Sequence, residues 1–335
     1  MYIGRPRNVV IVFLLGFSLN IFTFANIELP ATTKSQIKEV SSIARHHHAM
    51  IYDQQKERLV IFGGDGPQSE AQQWQPYGDT WEWDGQNWLQ SSVKGPSPRA
   101  SHRMVYDPQR KHSILFGGVS PGGKLWDDTW RWDGKWKQLE VKGPSARYSP
   151  AVAYDEDRKR TVLFGGSGKG TDVMWEWDGD AWHEITLQAS FPEPRARAAI
   201  AFDPNRGTVI LFGGFTAKQN LNDTWEWDGS QWKRLTVSGP AARANHVMAT
   251  DFRRKRIVLF GGWSRKPDML FGDTWEWDGE RWSEVAQTGP EPREMSAITY
   301  NFSLQQVFLH GGRGKEEQAY GDLWFWNGEH WIRIK

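Results

Sequence analysis

Three histidines occupy one relative position in this sequence: His48, His102 and His246 each stand three residues after an arginine. Imidazoles gathered around a common axis could ligate a metal. A hydrogen-bonded packing histidine is the simpler role, so these residues are kept as binding candidates with no metal and no cofactor expected. Two of the neighbours, His46 and His47, add imidazole density. Arg103 and Arg197 interrupt stretches of small residues and could present positive charge to a channel. With Glu294, His48 and His102 they bring arginine, carboxylate and imidazole groups that a polar site could combine. No spacing demands that arrangement. A third group is aromatic: Trp74, Tyr77, Trp126, Phe215, Trp263, Phe271 and Tyr320 lie in segments that vary along the chain. Such residues suit protein contacts or sugar rings stacked on their faces, unless they fold back as lids.

Several chemistries are excluded. The chain has no cysteine, so it has no thiolate metal site, disulfide or cysteine nucleophile. Its formal charge of +1 leaves no electrostatic footprint for nucleic acid. No nucleophile elbow, zinc-binding histidine pair or phosphate-binding glycine loop is present. Arg5 and Arg7 precede an apolar run over residues 9–24, followed by the small residue Ala25. This predicts a secretory signal, residues 1–25, cleaved near Ala25, and hence a secreted or periplasmic protein with no membrane segment after cleavage. Residues 26–44 read as a leader.

The elements that must position these side chains are repeats. Glycine pairs recur at Gly63, Gly117, Gly165, Gly213, Gly261 and Gly311, in steps of 54, 48, 48, 48 and 50 residues. An arginine precedes each pair by the same interval: Arg45, Arg99, Arg147, Arg195, Arg243 and Arg293. Such periodicity indicates a propeller or solenoid. Within one repeat, a small-residue stretch ends at Phe202 and Asp203, a turn follows, and an apolar run leads to Gly213. Then come Asp223, Thr224, Trp225, Glu226, Trp227 and Asp228, with the tryptophans at period two and so on one face. Gly229 marks a hairpin, and Trp232 opens a last short run. Four short antiparallel strands per repeat predict a blade, and six predict an all-β, six-bladed β-propeller over residues 45–335. The blades fall at about 45–92, 99–140, 147–187, 195–237, 243–287 and 293–335.

The double glycine, the aromatic–Asp pair, the fourth-strand tryptophan and the arginine before the next first strand together resemble the kelch repeat, within the superfamily of the galactose oxidase central domain. The resemblance covers all six blades. Tryptophan replaces the customary tyrosine before the aspartate. The copper–radical chemistry of some kelch-like oxidases needs a cysteine, which is absent here. The resemblance also implies that a histidine at the position of His48 is a packing residue.

Loops after the glycine pairs and loops before the arginines must emerge on one face, which is where function concentrates. The favoured expectation is a non-catalytic, extracytoplasmic module engaging a protein or glycan partner through that face. The alternative is a sugar epimerase- or mutarotase-like enzyme with a polar site at the channel mouth. Trp74, Trp126 and Trp263 are expected to help form the partner surface. Each blade is expected to be one continuous segment, so that blades 1 and 6 meet only by face packing. Trp227 and its equivalents should fill the wedge between blades, and Gly213 should be closely approached by its surroundings.

Overall fold

A computed structural model of the protein describes residues 43–67, 74–186 and 191–335. The expected signal segment, residues 1–25, and nearly all of the expected leader lie outside the described residues. Blade 4 shows the unit. Its strands, Ala199–Asp203, Thr208–Phe212, Thr224–Trp227 and Trp232–Leu235, pair in sequence order and antiparallel. The same four-stranded sheet recurs six times. The only helical segments among the described residues are two 3-10 turns, Pro121–Gly123 and Lys315–Glu317.

The pattern of the second strands follows from their position. Thr208–Phe212 is buried at every residue, because a blade packs against neighbours on both faces and has no wet side. The core is accordingly divided into clusters that each join two adjacent blades. Ala151, Val162 and Met174 of blade 3 pack on Trp227 and Trp232 of blade 4, and corresponding clusters join the other pairs. Trp227 is fully buried and donates its indole N–H to Glu176 of blade 3 at 3.1 Å. The fourth-strand tryptophans Trp136, Trp182, Trp282 and Trp331 donate instead to a threonine in the preceding blade. Glycine pairs are required by close approach. A Cβ on Gly213, at φ 60°, would lie 2.8 Å from the carbonyl oxygen of Arg243.

Each repeat arginine ties two blades. The Arg99 amide donates to Tyr77 of blade 1, and its carbonyl accepts from Gly64. Its buried guanidinium turns into blade 2, reaching Gly117 O and both oxygens of Asp128 at 2.5 and 2.9 Å. Asp128 also accepts the Trp130 indole N–H. The same Arg–Asp–Trp set recurs at Asp79, Asp223, Asp273 and Asp322. Blade 3 differs because Val173 stands where the others have aspartate. Arg147 there turns to Gly165 O, Gly170 O and Ser145, and the Trp175 indole N–H is buried without a partner.

Ring closure repeats these bonds. Each blade consists of one continuous segment, with blade 1 beginning its sheet at Ala49 and blade 6 ending at Arg333. Face packing is not the only link, however. Arg45 N donates to Tyr320 O and accepts through its carbonyl from Gly312 N, both at 2.9 Å, and His47 N donates to Met295 O. The seam therefore carries the same backbone bonds as the interfaces of blades 1 and 2, 2 and 3, 4 and 5, and 5 and 6.

Candidate functional site

The loop-rich end of the channel is framed by backbone. His47, Ser101, Ser149, Arg197, Asn245 and Met295 each donate an amide to the carbonyl of the equivalent residue in the preceding blade. The bonds measure 2.8–3.1 Å and close into a circle. All six residues have φ between 51° and 60°, a region costly to non-glycine residues that the circular bonding offsets. Arg197 is thus a rim residue preceding the first strand, not a residue within it. Its side chain makes no hydrogen bond or ion pair with any described residue.

Below this rim lies a cavity of about 120 Å³, lined by Arg103, Ser149, Asn245, Ser296 and the small first-strand residues Ala49, Ala151, Ala199 and Ala297. Its floor is Met50, Met104, Val152, Ile200, Met248 and Ile298, one residue from each first strand. These same six residues also roof a second cavity at the other end of the channel. Sequence reasoning missed that second cavity. It holds about 160 Å³ lined by Tyr52, Tyr106, Tyr154, Phe202 and Phe252, with Glu156 at its edge, whose carboxyl burial raises to about 7. Tyr52, Tyr106, Tyr154 and Phe202 each stand one residue before the aspartate that ends a first strand, and Phe252 lies in the turn after Asp251.

Arg103 is the charge of the mouth. It occupies the first-strand position held by alanine in four blades and by Val247 in blade 5. Its one hydrogen bond is a long one, 3.3 Å, to the carbonyl of His102. No carboxylate among the described residues pairs with it. Burial alone lowers its pKa, to about 10. A guanidinium held in a cavity without a counter-ion is a site for an anion.

The repeat histidines do not converge on the axis. His102 is fully buried and lies edge-on to Phe62 of blade 1, with ring centroids 5.3 Å apart, and His246 packs likewise on Phe212 at 5.5 Å. A Cβ on Gly63 would meet His102 at 2.9 Å, so the ring fills the space that the glycine leaves. His48 Nε2 lies 3.0 Å from Nδ1 of His310, a buried histidine that the sequence had not singled out. Burial is the largest cause holding all four neutral: His48 and His102 lie well below the ordinary histidine value, and His246 and His310 are near 3. Their place in the fold is packing between blades, although His48 and His246 also touch the cavity wall. Glu294 is engaged as well, by Arg313 at 2.6 Å and by the Asn245 amide at 2.7 Å.

Most of the loop aromatics are lids. Tyr77, Trp126, Phe271 and Tyr320 each stand two residues before the arginine-binding aspartate and lie over the guanidinium of their own blade, at 4.8, 4.4, 3.8 and 3.8 Å. Trp126 therefore holds a repeat position that was hidden because the residue type changes from blade to blade. Trp74 and Trp263 are partly exposed. Their indole N–H groups are bound to Asp65 and Asp268, and Trp263 packs on Phe215 with centroids 6.3 Å apart.

The sequence profile of the KLHDC2/KLHL20/DRC7 Kelch-repeats domain matches residues 16–178 and again 158–334. The chain belongs to the kelch-repeat family. No curated protein matches the sequence. Among solved structures, that of YjhT is similar to this kelch propeller with a TM-score of 0.66 at 12% identity, over 88% of this chain and 98% of that one. At that identity the likeness is one of fold, and a binding-module or similar propeller function is the general expectation that the kelch architecture supports.

Proposed function

We propose that this kelch propeller is a non-catalytic binding module, working outside the cytoplasm, that takes an acidic glycan at the mouth of its channel. Arg103 carries the reading: a half-buried cation with no protein counter-ion among the described residues, facing a cavity whose size suits a carboxylate on one sugar unit. Ser149, Asn245 and Ser296 line the same space; the Asn245 amide is held by Glu294 and the Ser296 hydroxyl donates to Gly311 O, which leaves side-chain oxygens as acceptors for sugar hydroxyl groups. The partly exposed pair Trp263 and Phe215 gives an apolar surface on the rim against which a longer chain can lie. The extracytoplasmic part of the proposal rests on the arginine-flanked apolar run at the N-terminus.

A catalytic reading has less support. His48 and His102 are enclosed between blades, and Glu294 is already paired. The test is calorimetric titration of the mature chain with uronic-acid-bearing and neutral saccharides, using Arg103→Ala as the comparison. Alanine stands at this position in four blades, so the variant should fold, and it should be the more stable protein because it loses an unpaired, half-buried charge. Selective binding of the acidic sugars, weakened at least about tenfold by Arg103→Ala, is expected. Binding that ignores the carboxylate or the substitution would refute the proposal.

A further inference from the structure

One constellation on the rim belongs to blade 1 alone. His46 and Asp65 form an antiparallel bridge with backbone bonds of 2.8 and 2.9 Å. The corresponding pairs are Ala100 with Val119, Ala196 with Phe215, Ala244 with Trp263, Glu294 with Arg313, and Tyr148 with Ser167. His47 follows in the hydrogen-bonded circle. Adjacent residues in an extended strand point to opposite faces, but His47 sits at φ 55°. That turn breaks the alternation and lets both imidazoles meet on one side.

The result is a triangle of potential ligand atoms. His46 Nδ1 and His47 Nδ1 each lie 2.9 Å from Asp65 Oδ1, and 3.0 Å from each other. Hydrogen bonding explains this shape poorly. The two nitrogens subtend only about 60° at the carboxylate oxygen, whereas its acceptor directions are well separated. Two N–H groups aimed at that oxygen would also confront each other. An ion about 2.1 Å from each of the three atoms would instead see ligand–metal–ligand angles of about 90°. A tetrahedral ion would need edges of about 3.4 Å.

We propose that His46 Nδ1, His47 Nδ1 and Asp65 Oδ1 form a facial three-ligand site for a divalent first-row transition-metal ion of octahedral preference. The surroundings suit ligation. The Trp74 indole N–H holds Asp65 Oδ2 at 2.7 Å, which orients the carboxylate and leaves Oδ1 for the ion. Arg313, the nearby cation, is paired with Glu294 and Glu317. Asp65 and His46 are nearly enclosed, while the His47 side chain is 22% exposed, so the open coordination positions face the mouth.

This site shares no ligand with the Arg103 proposal and can fail separately. The mature chain, free of any polyhistidine tag, is stripped with chelator and titrated with CoCl₂, followed by visible absorption and calorimetry. The comparison variants borrow residues from blade 2: His46→Ala, His47→Ser and Asp65→Val. One saturable equivalent per chain is expected, with octahedral-type absorption. Each ligand substitution should weaken it at least about 100-fold and Trp74→Phe about tenfold. CoCl₂ should also raise the melting temperature of the unaltered protein, a readout that does not depend on the variants folding. Absence of saturable binding and of a thermal shift would overturn the site, as would binding retained within threefold in His47→Ser and Asp65→Val. The latter outcome would leave a plain hydrogen-bonded cluster.

Discussion

Installing the missing aspartate of blade 3 should stabilise the protein. Val173 occupies the place of Asp79, Asp128, Asp223, Asp273 and Asp322, and two deficits follow from it. The Trp175 indole N–H is buried and unbonded, a defect worth about 1–3 kcal/mol. Arg147 has no carboxylate partner, and burial lowers its pKa to about 10. A downward displacement of that size corresponds to roughly 3 kcal/mol of unfavourable desolvation. Against these stands the cost of partly burying a new carboxylate, several kcal/mol. The sister sites indicate which side wins. Burial works against Asp79, Asp223, Asp273 and Asp322, yet the arginine and tryptophan bonds still lower each pKa. A net gain of about 1–2 kcal/mol is expected for Val173→Asp, or a melting temperature higher by roughly 2–4 °C in a chain of this size. Because the folded-state pKa of the new carboxyl would be depressed, the gain should be present above about pH 4 and lost as pH falls below it. Val173→Asn, which can accept from Trp175 without carrying charge, should recover less than half. Urea and thermal melts of the three proteins at pH 7 and at about pH 3, below the unfolded carboxyl pKa, decide the matter. A lower melting temperature for Val173→Asp would refute the reasoning, and an equal gain for the asparagine would show that the charge on Arg147 is immaterial.

Other outcomes follow from the same contacts. Trp227→Ala should cost about 3–5 kcal/mol, since the ring is fully buried between blades 3 and 4; an unchanged urea midpoint would contradict the wedge-filling role. His246 has a folded pKa near 3, well under its unfolded value of about 6.5, so the unfolded chain gains the proton first and stability is lost as pH falls below 6.5. At pH 5 this amounts to about 2 kcal/mol. His246→Ala, the residue found in blade 4, should therefore lose about 2 kcal/mol less than the unaltered protein between pH 7.5 and pH 5, and identical losses would show that the imidazole is not held neutral.

The repeat frame was legible because it is written in residues that tolerate no substitute. Glycine pairs at positive φ beside a neighbouring carbonyl, arginines at a constant interval and tryptophans at period two all signal themselves by type. The arginines' partner was equally periodic, since an aspartate stands two residues before the first tryptophan in five blades. It went unread because the intervening loops differ in length and only the arginine looked unusual. The lids were concealed differently. Tyr77, Trp126, Phe271 and Tyr320 do one job with different side chains, so Trp126 looked like an individual feature. The His46–His47–Asp65 triangle depends on the left-handed backbone of His47, which the hydrogen-bonded circle imposes and which no local pattern of residues announces. Arg103 was legible as an intruder among alanines. That it lacks a counter-ion could be seen only once the opposite walls of the channel were in place.

The central claim is that an acidic ligand meets Arg103 in the mouth of the channel. The most direct measurement is a crystal structure of the mature chain soaked with a uronic acid that binds in solution. The account predicts the carboxylate within about 3 Å of the Arg103 guanidinium, with Ser149, Asn245 or Ser296 on the hydroxyl groups. A ligand seated instead among the aromatics of the second cavity or on the Trp263 rim, with Arg103 untouched, would contradict it.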